Sequence, residues 1–563
     1  MKIVTFILAS ALAAFAAPGN IRGRAAAPTV TISAPQATVV GIAGDVEQFP
    51  GVPFAQPPTG PLRLKPPQPI TTSLGTVDAT SNGPACPQFY FSDNAGLNGL
   101  IPTSEIGLLL DTPLFQTVTD ASEDCLYLNI HRPAGTNSTS KLPVLFWIFG
   151  GGFELGYNAL YDGAPWVQAS IDQGEPIVFV SVNYRVGGFG FLPGSEVKQD
   201  GSANLGLQDQ RAGLKWVADN VEAFGGDPEK VTIWGESAGA ISVLDQMVLY
   251  SGDNTYNGKP LFRAGIMNSG STIPANPIDG AKGQAIYDQV VDVAGCSGVS
   301  DTLECLRGVD YETLLNATNS VPGILSYQSV NLAYLPRPDG TLLADSPEVL
   351  VEQGKYAKVP FIIGDQEDEG TLFALFQSNI TTKQELVDYF LTYYFLDATE
   401  DQIDTLLSYY TDISSDGSPF RTGLLNEWYP WFKQLAAVIG DITFTLTRRA
   451  FLNFTTDVPT WSYLSSYDYG TPILGTAHGT DILQVFFGIL PNYASAAFHA
   501  YYINFVNNLD PNQGTGTKYT NWPQWTDGNQ LLNMYPLYST FVSDDFRNDA
   551  YEWLVANVES LKV

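Results

Sequence analysis

One serine is set in a pattern suited to covalent catalysis. In Lys230-Val-Thr-Ile-Trp-Gly235-Glu236-Ser237-Ala238-Gly239-Ala240, an apolar strand-like run enters G-x-S-x-G and continues into a helical pattern, Ala238–Tyr250. A sharp strand-to-helix turn holds the serine Oγ out at the rim of a sheet and aims the free N–H groups of the new helix at developing negative charge. The chemistry is attack of a hydroxyl on an acyl carbon.

That attack needs an oxyanion hole and a base. The run Leu142–Phe149 ends in Gly150-Gly151-Gly152-Phe153, whose bare backbone N–H groups can approach a tetrahedral oxyanion, as can the amide of Ala238. The spacing G-x-G-x-x-x-G from Gly150 to Gly156 does not fit a dinucleotide loop. Serine is a poor nucleophile at its own pKa, so a histidine is required. There are three, His131, His478 and His499. In a strand–elbow–helix site the chain order is serine, acid, histidine, which removes His131. His499 falls in the helical pattern Ala496–Asn508 and reads as a packed helix residue. His478, in Gly475-Thr-Ala-His478-Gly-Thr-Asp481, sits in a glycine-flanked loop, where catalytic groups concentrate. For the acid, the run Val359–Gly364 ends in Asp365-Gln-Glu367-Asp368-Glu369-Gly. Either Asp or Glu can orient an imidazole, so chemistry alone leaves four candidates.

These residues need a scaffold. The runs Leu142–Phe149, Pro176–Tyr184, Lys230–Trp234, Ala264–Met267 and Val359–Gly364 are short and apolar on both faces, as in a buried parallel sheet. Helical patterns such as Asp209–Phe224 and Ala238–Tyr250 separate them, which predicts an α/β sheet covered on both sides. From about Thr382 the chain reads as more helical and aromatic. With 563 residues the length prior is three or four domains, yet no linker or repeat interrupts the chain. One enlarged domain with insertions is predicted over residues 28–563.

Composition narrows the partners. Twenty-seven Lys and Arg against 58 Asp and Glu give a net charge of −31, which disfavours nucleic acid and anionic membranes and leaves a neutral, apolar ester or a lipid–water interface open. Lys2 followed by the apolar run Ile3–Ala17 reads as a signal peptide over residues 1–17, with 18–27 as a short pro-segment. No later run has the length of a transmembrane anchor. Secretion makes two disulfides the expectation for the four cysteines. Three pairings are possible, of which the nearest-neighbour one is Cys86–Cys125 with Cys296–Cys305. On a loop-entropy account these would contribute roughly 4 and 2.5–3 kcal/mol respectively. Sequons at Asn137, Asn316, Asn379 and Asn453 fit a secreted glycoprotein. Neither histidines nor cysteines have metal-site spacing, and the chemistry calls for no metal or organic cofactor.

Several motifs together are familiar: E-D-C-L-Y-L-N (Glu123 to Asn129), F-G-G-G-F (Phe149 to Phe153), V-N-Y-R (Val182 to Arg185), F-G-G-D-P-x-K-V-T-I-W-G-E-S-A-G (Phe224 to Gly239), Y-L-P-R-P-D-G (Tyr334 to Gly340), G-D-Q-x-D-E-G-T (Gly364 to Thr371) and G-T-x-H-x-x-D (Gly475 to Asp481). The chain resembles the type-B carboxylesterases, and within them the Candida rugosa and Geotrichum candidum lipases and fungal sterol esterases, from about residue 28 onward. The resemblance implies an α/β-hydrolase fold and a triad of Ser237, His478 and Glu369. It also implies oxyanion donors at Gly151, Gly152 and Ala238, and the nearest-neighbour disulfides. Many members have His-Gly-Gly-Gly where this chain has Phe149-Gly-Gly-Gly, and the aromatic is shared with the lipase branch. The segment 86–125 is similar to the lipase lid, and Ile106, Leu109, Leu110 and Leu114 fall on one helical face there. The expectation is a secreted serine ester hydrolase acting on triglycerides or sterol esters. The alternatives are a small-ester or feruloyl esterase, or a catalytically silent binding or adhesion member of the fold.

Overall fold

The computed structural model describes residues 26–90, 118, 120–488, 491–516 and 518–563. The expected signal peptide, most of the pro-segment 18–27, and the apolar stripe of the expected lid lie outside the described residues.

A ten-stranded sheet runs through the molecule. We label its strands in chain order: β1 Val46–Pro53, β2 Tyr127–Pro133, β3 Leu142–Ile148, β4 Val178–Val182, β5 Gly226–Glu236, β6 Ala264–Asn268, β7 Phe361–Gln366, β8 Thr460–Ser465, β9 Gln530–Met534 and β10 Ser539–Ser543. Across the sheet the order is β10-β9-β8-β7-β6-β5-β3-β4-β2-β1. The stretch from β4 through β3 to β9 is parallel, and antiparallel pairs close both edges. The architecture is therefore the expected α/β one, a mostly parallel sheet with helices on both faces. Two small sheets lie outside it, Thr29–Ser33 with Gln36–Val40 and Gly75–Asp78, and a two-stranded ribbon, Thr255–Tyr256 with Lys259–Pro260.

The central strands are apolar on both faces because both faces are covered. Every residue of β4 and β6 is buried. Beside the sheet, Trp234 meets Trp147 at 4.4 Å and Trp166 at 4.7 Å between ring centroids. Such aromatic burial is the main source of cohesion in a core of this kind. A second apolar cluster, built from residues 372–376, 386–410 and 429–446, forms around helices next to the active edge of the sheet.

The aromatic last third is mainly helical but also supplies β8, β9 and β10. Those strands are short and carry Thr, Ser, Gln and Asn, so periodicity alone does not separate them from loop. Their pairing comes from the strands beside them.

Candidate active site

Parallel strands put all their C-terminal ends on one edge, and here that edge gathers the candidates. In register, Ile148 of β3 faces Gly235 of β5, Asn268 of β6 faces both Glu236 and Gly364, and Gln366 of β7 faces Ser465 of β8. Each of these residues is followed by a loop that contributes to the site.

Ser237 occupies the turn between β5 and the helix Ala238–Gly252, at φ 56° and ψ −125°. That conformation is strained for a residue with a Cβ and survives because its surroundings hold it. The amide of Ser237 donates to Asn268 O at 2.9 Å, and its carbonyl accepts from Ile241 N at 2.9 Å. Gly239 is required by close approach, since a Cβ there would lie 2.1 Å from Ile148 O. The glycine thus lets the helix start directly over the end of β3.

The loop after β3 curls back toward Ser237. Gly151 has φ 104°, and a Cβ on it would meet Leu155 O at 2.3 Å. Phe149 stacks on Tyr184 with centroids 4.2 Å apart, and the Tyr184 hydroxyl donates to Phe149 O at 2.7 Å. The aromatic at 149 therefore fills a pocket and pins the glycine run from below. Among the described residues nothing accepts from the N–H groups of Gly151, Gly152 or Ala238.

The acidic run after β7 separates into distinct environments. Asp365 pairs with Arg448 at 2.7 Å, and Glu367 pairs with Arg421. Asp368 accepts from Phe420 N at 2.7 Å, Ser418 Oγ at 2.9 Å and Thr476 N at 2.9 Å. It also forms a parallel bridge with Ala477, which extends the β7–β8 alignment into the loops. That bridge sets the next residue, Glu369, against His478. Glu369 Oε1 accepts from Gln366 N at 2.7 Å, and Oε2 lies 2.6 Å from His478 Nδ1.

The His478 ring is buried between Phe444 and Phe373, at centroid distances of 4.6 and 5.1 Å. Its Nε2 lies 3.3 Å from Glu236 Oε1 but makes no hydrogen bond among the described residues. Burial alone would disfavour the charged ring, yet the Glu369 carboxylate and its hydrogen bond, helped by Glu236 and Asp481, outweigh it and raise the imidazole to about 9. Glu236 is itself pushed up to about 8 by burial, in spite of His478.

The other two histidines are packed elsewhere. His131, on β2, is buried, and burial lowers it to about 4 although Nε2 is 3.4 Å from Asp162. His499 Nε2 meets Val485 O at 3.1 Å, with its ring edge on Trp166.

A cavity of about 180 Å³ begins at Gly152, Ser237 and Ala238 and continues between mostly apolar side chains such as Ile241, Leu332 and Phe444. Across residues 27–548 the chain matches the carboxylesterase family. It belongs to that family. This carboxylesterase is 65% identical over 548 residues to "Secreted lipase 1" of Botryotinia fuckeliana, an alignment covering 96% of this chain and 95% of that one. It is 57% identical to "Secreted triacylglycerol lipase LIP1" of Gibberella zeae, over 95% and 92% of the two chains. Among solved structures, Aspergillus niger EstA superposes with a TM-score of 0.79 at 27% identity, covering 96% of this chain and 99% of EstA. The carboxylesterase is a secreted carboxylic ester hydrolase of the α/β-hydrolase fold.

Two disulfides join Cys86 to Cys125 and Cys296 to Cys305. All four sequon asparagines, Asn137, Asn316, Asn379 and Asn453, are exposed. Among the described residues, no helix is long and apolar enough to cross a membrane. Among them also, no three His, Cys, Asp or Glu side chains are grouped to hold a metal.

Of three further neighbours of the site, Asn268 and Asp481 have no role assigned from sequence, and Glu236 enters only as a family feature with structural support as its plain role. Asn268 accepts from Ser237 N through its carbonyl, and its side chain donates to Asp481 Oδ2 at 2.7 Å and accepts from Trp234 Nε1 at 2.9 Å. Asp481, raised to about 6 by burial, is the acidic residue of G-T-x-H-x-x-D. Glu236 fills the space between Gly150 and His478. Only Glu236 and Asp481 had a signal in sequence, as members of motifs.

Proposed function

We propose that the carboxylesterase hydrolyses lipid-like carboxylic esters, triglycerides and sterol esters among them, through a triad of Ser237, His478 and Glu369. The observation that carries this reading is an apolar cavity that begins at Ser237, on the same sheet edge as a histidine clamped by a buried glutamate. Ser237 Oγ attacks the ester carbonyl while His478 Nε2 takes its proton. Glu369 keeps the proton on Nδ1 and stabilises the imidazolium that forms. The N–H groups of Gly151, Gly152 and Ala238 hold the oxyanion, a term worth about 10²–10³ in rate per donor. His478 then returns the proton to the leaving alkoxide. Water, activated by the same ring, releases the acyl group.

The cavity wall argues for a long acyl chain, because apolar lining rewards each methylene buried by about 0.8 kcal/mol. The name of the Gibberella zeae relative points the same way for triacylglycerols. The lid proposed for residues 86–125 is closed at its base by the Cys86–Cys125 disulfide. We read the sequon asparagines as glycan attachment sites.

The test is a panel of triolein, cholesteryl oleate, p-nitrophenyl butyrate and methyl ferulate compared by kcat/KM, with labelling by a serine-reactive phosphonate. Triolein or cholesteryl oleate should lead, and the label should attach to Ser237. Preference for methyl ferulate would overturn the lipid reading. Absence of labelling would return the silent-member alternative.

A further inference from the structure

The apolar cavity beside Ser237 has one feature that ester hydrolysis does not use. The helix Ala238–Gly252 contributes Ala238, Ile241 and Asp245 to its wall. Ile241 and Asp245 stand four and eight residues beyond Ser237, so one helix face leads from the nucleophile along the cavity. At the helical rise of 1.5 Å per residue, Asp245 is about 12 Å along the axis from Ser237.

Asp245 is fully buried, and neither carboxyl oxygen has a hydrogen-bond partner among the described residues. Its helix neighbours differ. Gln246 donates to Leu207 O at 2.9 Å, and Ser242 accepts from Gln210 at 2.9 Å. Other polar groups in the wall are at least partly engaged, although Glu348 Oε1 is unpartnered among the described residues. Thr447 Oγ1 donates to Thr443 O at 3.0 Å, and one oxygen of Glu348 is held by Ser346. An isolated carboxyl in an apolar wall is costly, and a group left this way deserves a ligand or a role. Burial pushes Asp245 well above the usual carboxylate range, which favours the protonated form, a group with one O–H donor and one C=O acceptor.

We propose that Asp245 is a specificity-determining residue that favours long-chain esters whose acyl group carries a hydroxyl near mid-chain. The proposal rests on the reading of Ser237 as nucleophile and of the cavity as the acyl site. With the acyl carbonyl at Ser237, an extended chain follows the helix face past Ile241 and brings its middle carbons to Asp245. A hydroxyl there accepts from the carboxyl O–H and donates to its C=O. A plain methylene at the same place leaves both groups unpartnered. One net hydrogen bond corresponds to about a tenfold preference.

The experiment compares kcat/KM for p-nitrophenyl 10-hydroxystearate and p-nitrophenyl stearate in the wild type and in Asp245→Leu. The hydroxy/plain ratio should be about ten or more in the wild type and fall to about one in Asp245→Leu. A wild-type ratio of one or below, or a ratio that Asp245→Leu does not lower, overturns the proposal. A second measurement needs no variant. Free 10-hydroxystearic acid should inhibit wild-type hydrolysis of p-nitrophenyl butyrate about tenfold more tightly than stearic acid, and equal inhibition also overturns it. Failure of the underlying reading looks different: the wild type would then leave the plain stearate ester uncleaved.

Discussion

Glu369 Oε2 lies 2.6 Å from His478 Nδ1, across 109 residues of chain. The contact is made by the loops after two adjacent parallel strands, β7 and β8, stitched by the Asp368–Ala477 bridge. Asp368, one residue away, faces the opposite side and anchors the loops through Ser418, Phe420 and Thr476.

Neighbouring carboxylates should therefore fail in different ways. Glu369→Gln is expected to lower kcat by about 10³–10⁴ with little loss of stability, since the amide fits the same space but cannot hold the imidazolium. Asp368→Asn should cost about 1–3 kcal/mol in denaturant unfolding, because its NH₂ would face either Thr476 N or both Ser418 Oγ and Phe420 N, and should cost far less in kcat. Steady-state kinetics and urea titration on both variants check this. The reverse pattern would move the acid to Asp368.

The pH profile follows from the enclosure of His478. In the proposed mechanism the neutral ring is the base, so kcat/KM should rise with pH as the ring loses its proton. Glu369, Glu236 and Asp481 hold that proton on, which raises the ring to about 9. The rising limb is expected well to the alkaline side of the ordinary histidine value of 6.5, and the residual activity of Glu369→Gln should rise at lower pH. A wild-type limb at or below 6.5 would contradict the raised pKa.

Gly239→Ala should break the elbow. The added Cβ would lie 2.1 Å from Ile148 O, against backbone that cannot retreat without moving β3. Activity is expected to fall at least about a hundredfold, with destabilisation of about 1–3 kcal/mol. Thermal unfolding and p-nitrophenyl butyrate turnover read the two effects. A variant with wild-type rate would show that the close packing is dispensable.

Beneath the acidic loop, Arg448 is bound to Asp365 at 2.7 Å and to both oxygens of Asp544 at 2.7 and 2.8 Å, all buried. Arg448→Leu leaves two enclosed carboxyls without that cation and should cost about 3–5 kcal/mol. Guanidinium unfolding of the variant beside the wild type measures it. A change under about 1 kcal/mol would mean that Arg449 alone satisfies Asp544.

Much of the site was legible along the chain because its parts are local. The elbow around Ser237 and the glycine run at 150–152 announce themselves by composition, each at the end of a doubly apolar strand. All five predicted strands appear in the central sheet as β3 to β7. The remaining strands are less legible in the sequence, for physical reasons. β1 contains Gly51 and Pro53, and β8 to β10 are short and mixed in polarity. Their strand character depends on neighbours distant in sequence.

The amino-acid sequence by itself determined where a nucleophile could stand, which histidine could follow it, and that both belong on an α/β sheet. Those are matters of turn chemistry and periodicity, which act over a few residues. From the residues alone, the choice among Asp365, Glu367, Asp368 and Glu369 stayed open. Nor does the sequence show that Asp245 is buried. Only the tertiary structure decided which carboxyl meets the ring and which is left alone in an apolar wall. Strand register and packing set those distances, and both are sums over contacts hundreds of residues apart.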